Sequence, residues 1–256
     1  MAMHPVRVKA SRRLGPQLVR ITLSGPTLAD FVDDGPDQRC KIFLPRDGHT
    51  APPVPGGPDW YEAWRALPDD IRPIMRTYTI RYSRPELGEV DIDFVLREGA
   101  GPGTRWAAQA RPGDRACLFG PRAEYAPPPG LDAQLIVGDA TALPAIAAIV
   151  ENLSVTQRAW VFVEVDTPAD EQLLTTCADV STTWLHLGGR PPGRTDTLLD
   201  AVRGAELPAG RLSAWVAGEA AVVRAVRRHL VCERDFSAAD IQFSGYWRIG
   251  AAIDPD

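Results

Sequence analysis

The chain has 256 residues, 45% of them apolar, with 28 basic against 33 acidic side chains and a formal net charge of -5. Apolar content at the globular average excludes a disordered chain, and the acidic balance argues against bulk nucleic-acid binding, which needs a basic surface. The length suits one large domain or two modest ones.

The cations are nearly all arginine, since only Lys9 and Lys41 are lysine, and 24 Pro with 22 Gly approach a fifth of the chain. A GC-rich coding sequence accounts for both, so an arginine matters only where its position is informative. Cys40, Cys117, Cys177 and Cys232 are far apart, with no CxxC pair and no histidine at ligand spacing. No zinc or iron–sulfur site is expected, and core or near-core thiols are. The first residues, MAMHPVRVKASRR, hold no apolar h-region, and no apolar run approaches 18 residues. A cytoplasmic protein without a membrane partner is expected.

Up to about residue 126 the chain reads as short strands. Val6–Lys9, Leu18–Leu23, Cys40–Leu44, Thr77–Tyr82, Glu89–Val95 and Arg115–Phe119 alternate or are β-branched, and Gly, Pro and Asp bound them. This spacing predicts a small antiparallel barrel. Between the third and fourth strands, Arg46–Pro73 reads as a long loop with one amphipathic helix, Trp60–Leu67. Trp60 and Trp64 are expected to anchor that helix. A second helix, Arg105–Ala110, follows Gly101-Pro102-Gly103-Thr104, with Thr104 as its expected N-cap.

From residue 130 strands and helices alternate. Strands are expected at Gln134–Val137, Ala159–Val165, Thr182–Leu187, Leu212–Ala217 and Ile241–Trp247. Helices are expected from the Gly138-Asp139 turn through Asn152, over Thr195–Arg203 and over Ala220–Arg234. That order implies an open parallel α/β sheet, with Pro127-Pro128-Pro129-Gly130 as a natural linker.

Two local patterns carry chemistry. In Arg76-Thr77-Tyr78-Thr79-Ile80-Arg81, alternation puts Arg76, Tyr78 and Ile80 on one face and Thr77, Thr79 and Arg81 on the other. An arginine neutralises a pyrophosphate, a tyrosine stacks on an extended ring, and a threonine hydroxyl reaches a ring nitrogen. A charged edge strand has the same pattern. In Gly101–Thr104, small residues open a helix whose first N–H groups and dipole suit a phosphate, although an ordinary capped helix reads alike. Together the two supply ring stacking and a diphosphate cradle.

With these come Asp93-Phe94-Val95-Leu96, Arg105-Trp106-Ala107, Pro112-Gly113-Asp114 and Gly120-Pro121-Arg122. Further on stand Gly138-Asp139-Ala140-Thr141-Ala142-Leu143-Pro144-Ala145-Ile146, Ala217-Gly218-Glu219 and Gly245-Tyr246-Trp247-Arg248. In this order, over nearly the whole chain, the sequence resembles the siderophore-interacting protein family, FAD-containing ferric-siderophore reductases related to the ferredoxin reductases. The resemblance implies an N-terminal antiparallel FAD-binding β-barrel over residues 1–126. An open parallel α/β nicotinamide-binding domain over 131–256 would follow it.

It further implies that Arg76, Tyr78 and Thr79 hold the FAD pyrophosphate and isoalloxazine. Asp93, Phe94, Val95 and Leu96 would line the cofactor, and Gly101, Gly103 and Thr104 would complete the diphosphate side, with Arg105 and Trp106 beside them. Where many relatives have histidine after this block, the chain has Arg97, which removes a proton carrier and adds a cation. GxGxxG is absent after the first α/β strand, yet Asp139 and Thr141 occupy the position where the family would receive NADPH or NADH. Read alone, that segment is an ordinary strand–helix turn with Asp139 as cap. Glu164, near the end of the next strand, could meet a 2′-hydroxyl. Lys41, Arg122 and Arg248 are the expected basic rim for a bulky, anionic ferric siderophore.

The expected activity is NAD(P)H-linked, FAD-dependent reduction of a ferric siderophore, releasing Fe(II) in the cytoplasm. A ferredoxin is a further candidate donor and a monomer is expected. Two other readings stay open: a general flavin or ferredoxin-type reductase, and a siderophore-binding module with little turnover.

Overall fold

The computed structural model describes residues 2–31, 34–97 and 101–250, so the last six residues of the expected second domain lie outside the described residues. The chain divides into two compact units between Glu124 and Tyr125.

The first unit is a closed barrel built from β1 (Ala2–Gly15), β2 (Leu18–Ser24), β3 (Arg39–Leu44), β4 (Ile74–Arg84), β5 (Glu89–Val95) and β6 (Arg115–Arg122). Its strand order is β1-β2-β5-β4-β3-β6, and the neighbours pair antiparallel. Alternation sends Val6, Val8, Ile21, Leu23, Ile42, Leu44, Ile80, Ile92, Phe94 and Leu118 into one interior core. β1 runs six residues past its expected end, because Ala10–Arg13 are all solvent-facing and carry no apolar alternation while pairing with β2. On β4 the expected alternation holds through Ile80. There the register against β5 shifts, and Arg81 is buried rather than continuing the pattern.

Among the described residues of this unit are the α-helices α1 (Trp60–Arg65) and α2 (Pro102–Gln109). The long loop carrying α1 folds onto the outside of the barrel. Trp60, Tyr61 and Trp64 pack there with Phe43, Met75 and Cys117 into a second apolar cluster, and the Trp64 indole donates to the Pro73 carbonyl at 3.1 Å. Both tryptophans are therefore anchors. α2 starts three residues earlier than the sequence suggested. Pro102 takes its first position, where a missing N–H has no consequence, and Gly101 is the cap residue without a side-chain bond. Thr104 is thus not the N-cap: its hydroxyl donates instead to the Val95 carbonyl at 3.1 Å and ties the helix to β5.

The second unit contains β7 (Ala133–Asp139), α3 (Leu143–Glu151), β8 (Arg158–Val165), β9 (Asp179–His186), α4 (Thr197–Gly204), β10 (Leu212–Glu219), α5 (Ala220–Glu233) and β11 (Ile241–Trp247). The sheet has the order β11-β10-β7-β8-β9 and is parallel throughout. Its neighbours diverge between β7 and β10, the switch point of an open α/β sheet. α4 and α5 pack Leu198, Val202, Val223, Val226 and Leu230 onto Leu135, Val137 and Val216.

The cysteine expectation holds for two of four. Cys40 and Cys117 are buried in the barrel unit, whereas Cys177 and Cys232 are exposed. Burial pushes the Cys117 thiol up to about 11 and the Cys40 thiol upward as well, so neither ionises near neutrality. No helix among the described residues is long and apolar enough to cross a membrane.

Candidate functional site

On β4, Tyr78 turns toward the barrel interior and meets Phe94 of β5 with ring centroids 4.3 Å apart and planes at 45°. Trp106 of α2 continues the aromatic contact, 5.9 Å from Phe94. Burial pushes the Tyr78 phenol up to about 12, against the opposing pull of the Arg76 charge, so it is neutral at any physiological pH. The first turn of α2 lies directly on these residues. A Cβ added at Gly103 would stand 2.6 Å from Tyr78 Oη and 3.7 Å from Arg76 Cγ. Only glycine lets the amides of this turn come so close to both side chains. Arg76 donates to the Met75 carbonyl at 2.7 Å, and no carboxylate among the described residues pairs with it.

Thr79 gives the sharper signal. It is 5% exposed, and its hydroxyl is buried without any hydrogen-bond partner. Such a group costs about 1–3 kcal/mol and calls for an explanation. A flavin dinucleotide fits this donor set. Arg76 and the α2 amides suit its diphosphate, the Tyr78 ring suits its isoalloxazine, and the orphan Thr79 hydroxyl suits a ring heteroatom.

The neighbouring residues take different parts. Asp93 is held in two hydrogen bonds by Arg20, Nε to Oδ1 at 2.6 Å and Nη2 to Oδ2 at 2.7 Å, so its carboxylate is committed to the barrel's outer face. Phe94 is fully buried in the core, and Leu96 packs against it. Val95 serves through its carbonyl, the acceptor for Thr104. Arg97 is half-buried just beyond β5.

Thr79 also borders a row of cations. Residues directly paired across antiparallel strands share a face. Arg39 of β3 lies opposite Thr79 on one side and Arg122 of β6 on the other, while Lys41 lies opposite Thr77 and Phe119. The register shift in β6 between these two pairings brings Arg122 level with Arg39. Cys40 and Ile42, the alternate residues, point into the core. The structure thus brings Lys41 and Arg122 onto one face with Thr79. It adds Arg39, which the sequence reading did not single out although it stands two residues before Lys41 on the same strand. The indole of Trp60, 4.5 Å from the Phe119 ring, forms the aromatic border of this row.

Arg248 belongs to the second unit, where it is exposed directly after β11. Asp139, at the end of β7, is buried and fully engaged. Oδ1 accepts from the Thr141 amide at 2.8 Å and from the Thr141 hydroxyl, and Oδ2 accepts from the Glu219 amide at 3.0 Å and the Trp247 indole at 2.7 Å. One carboxylate therefore ties the ends of β7, β10 and β11 together. Glu219 in turn caps α5, accepting from the amides of Ala221 and Val222. Gly193 closes the cluster from the side, since a Cβ there would stand 2.8 Å from Glu219 Cγ and 3.1 Å from the Trp247 ring. Glu164 is buried and accepts from the Thr195 hydroxyl at 3.4 Å. Among the described residues no group of three His, Cys, Asp or Glu side chains could hold a metal ion.

A family model for the siderophore-interacting FAD-binding domain matches residues 7–125, and one for the siderophore-interacting protein matches residues 131–250. The ferric vibriobactin reductase ViuB of Vibrio cholerae is 31% identical over 91% of this chain and 84% of its own length. The NADPH-dependent ferric-chelate reductase of Escherichia coli is 29% identical over 92% of this chain and 89% of its own. A siderophore utilization protein from T. fusca, solved by crystallography, superposes with a TM-score of 0.86 at 35% identity, covering 98% of this chain and 95% of that one.

Proposed function

Since the chain belongs to the siderophore-interacting protein family, we propose that it is an FAD-dependent reductase of ferric siderophores. It would draw electrons from NADPH or NADH and release iron as Fe(II) in the cytoplasm, where those nucleotides are supplied. In this reading residues 1–126 hold FAD, residues 131–256 receive the nicotinamide, and the protein acts as a monomer. The observation that carries it is the adjacency of two features across one strand pair. The orphan hydroxyl of Thr79 stands opposite Arg39, the head of a cationic row. A flavin-facing group and an anion-attracting surface thus share one face of the barrel.

The chemistry that bound FAD supplies is conversion of a two-electron donor into single-electron steps to Fe(III). The protein's residues position and polarise. Arg76 and the first-turn amides of α2 hold the diphosphate, with Gly103 permitting the approach. Tyr78, held neutral, offers a ring face without introducing a charge. Arg39, Lys41 and Arg122 draw an anionic chelate out of water. Electron transfer to iron needs no protein acid or base, so none of the four histidines is assigned a role.

One observation favours ferredoxin as a second reading for the donor. At the β7–α3 turn Asp139 and the Thr141 hydroxyl are committed to each other, and α3 opens with Leu143-Pro144 rather than with a glycine-rich loop. That turn offers a nucleotide phosphate little, whereas a protein donor would not need it.

Anaerobic stopped-flow separates these readings. The FAD-loaded protein is reduced with NADPH, NADH or reduced ferredoxin, then mixed with a ferric tris-catecholate or a ferric trihydroxamate. Reoxidation of the flavin faster than in buffer is the expected result. No acceleration by either chelate would overturn the reductase reading.

A further inference from the structure

The cationic row carries its own counter-ion. Glu124, two residues past the end of β6, meets both arginines of the row. Arg39 Nη2 pairs with Oε2, and Arg122 Nε stands 3.5 Å from Oε1. The Arg39 side chain is 19% exposed, against 48% for Glu124 and 68% for Arg122, so the carboxylate lies where solvent and ligands reach it. The segment leading to it is fixed, because the Ala123 amide donates to the Asp34 carboxylate at 2.7 Å. Asp34 is engaged by backbone, and Glu124 is engaged by the same guanidinium groups that an anionic chelate would use.

A carboxylate in that place acts differently on ligands of different charge. A trianionic chelate approaching Arg39 and Arg122 must displace Glu124 or bind beside it against repulsion. A neutral chelate of similar size meets neither penalty. Resting on the reductase reading above, we propose that Glu124 is the specificity-determining residue of the cationic row, an internal competitor that limits how strongly the protein prefers anionic over neutral ferric chelates.

Binding to the FAD-loaded protein, followed by quenching of tryptophan fluorescence, tests this without electron transfer. Glu124→Gln is expected to bind a ferric tris-catecholate about tenfold more tightly while a ferric trihydroxamate changes less than about twofold, and ~0.5 M salt is expected to shrink the gain. Glu124→Asp, which keeps the charge, stays near the parent protein. Arg122→Gln should move the other way, losing affinity for the anionic chelate alone. Equal changes for both chelates, no change, or weaker binding of both by Glu124→Gln would make Glu124 a structural brace and overturn the inference. If the parent protein binds neither chelate and neither reoxidises its flavin, the reductase reading falls first and this inference with it.

Discussion

After β5 the chain enters α2 at Gly101-Pro102-Gly103-Thr104, and from the end of β7 it heads into α3 by way of Gly138-Asp139-Ala140-Thr141. Both are strand-to-helix passages through small residues with a threonine in fourth place, and both suit a cofactor phosphate by sequence. They differ in what their polar groups already do. Around the first, the Thr79 hydroxyl has no partner and Arg76 donates only to a neighbouring carbonyl. Around the second, Asp139 takes donors from Thr141, Glu219 and Trp247. A polar group already satisfied within the chain must break a bond before it serves a ligand, and an orphan gains one. The barrel passage is built to be completed by something else, and the α/β passage is complete in itself.

Gly103→Val is the strongest way to break that contrast. A branched side chain cannot occupy a position where even a Cβ lies 2.6 Å from Tyr78 Oη. The expected outcome is loss of FAD affinity by at least about a hundredfold, since the amides and the ring are pushed apart. Flavin content after gel filtration measures it, and full retention would remove the α2 cradle from the account. Asp139→Ala acts on the other passage. It removes the acceptor shared by the buried Glu219 amide and the Trp247 indole, a loss of about 2 kcal/mol in stability of the second unit. FAD content should not change. Flavin loss without a lowered unfolding temperature would reverse the roles assigned to the two passages.

Alkaline pH sharpens the comparison further, because each unit holds one tyrosine pushed up to about 12 by burial: Tyr78 in the barrel and Tyr125 in the α/β unit. The Tyr125 hydroxyl donates to Gln134 at 2.5 Å, whereas Tyr78 has its hydroxyl against Gly103. Each phenol is protonated in the folded state where the unfolded one, with a pKa near 10, ionises. The stability they contribute is therefore whole below pH ~10 and falls as pH rises toward ~12, by about 2 kcal/mol for each. Ultraviolet titration of the folded protein should show two late tyrosines. Tyr78→Phe and Tyr125→Phe should each remove one, and only bound FAD should delay Tyr78 further.

Much of this was legible in the chain itself. The runs Glu89–Val95 and Ile241–Trp247 mark β5 and β11 residue for residue, but alternation missed that Glu89, Asp91 and Asp93 are buried beside Lys9, Arg84 and Arg20 and that Phe243 is exposed. The outer half of β1 was not legible, since Ala10–Arg13 face solvent and leave no apolar trace. The start of α2 was misjudged because a threonine after glycine looks like a cap, while its hydroxyl is drawn to the Val95 carbonyl of β5. Arg39 and Glu124 are 85 residues apart, and only the β3–β6 register shows that they share a face. The RxYT pattern falls on β4, but the sequence cannot reveal that Thr79 is the hydroxyl left without a partner.

That hydroxyl permits a test whose outcome depends on the ligand. Thr79→Val keeps the shape of the side chain and removes the buried oxygen. Without FAD, the variant loses an unsatisfied polar group and should be more stable by about 1 kcal/mol, a rise of roughly 2–4 °C in unfolding temperature. With FAD bound, the same change removes a hydrogen bond to the cofactor and should weaken retention by about 1 kcal/mol, or roughly fivefold. By linkage the gain and the weakened binding cancel, so the flavin-free protein should be stabilised while the loaded protein stays near the parent. Equal stabilisation in both states would mean that Thr79 never meets the cofactor. The contrast between the two passages would then rest on Arg76 and the α2 amides alone.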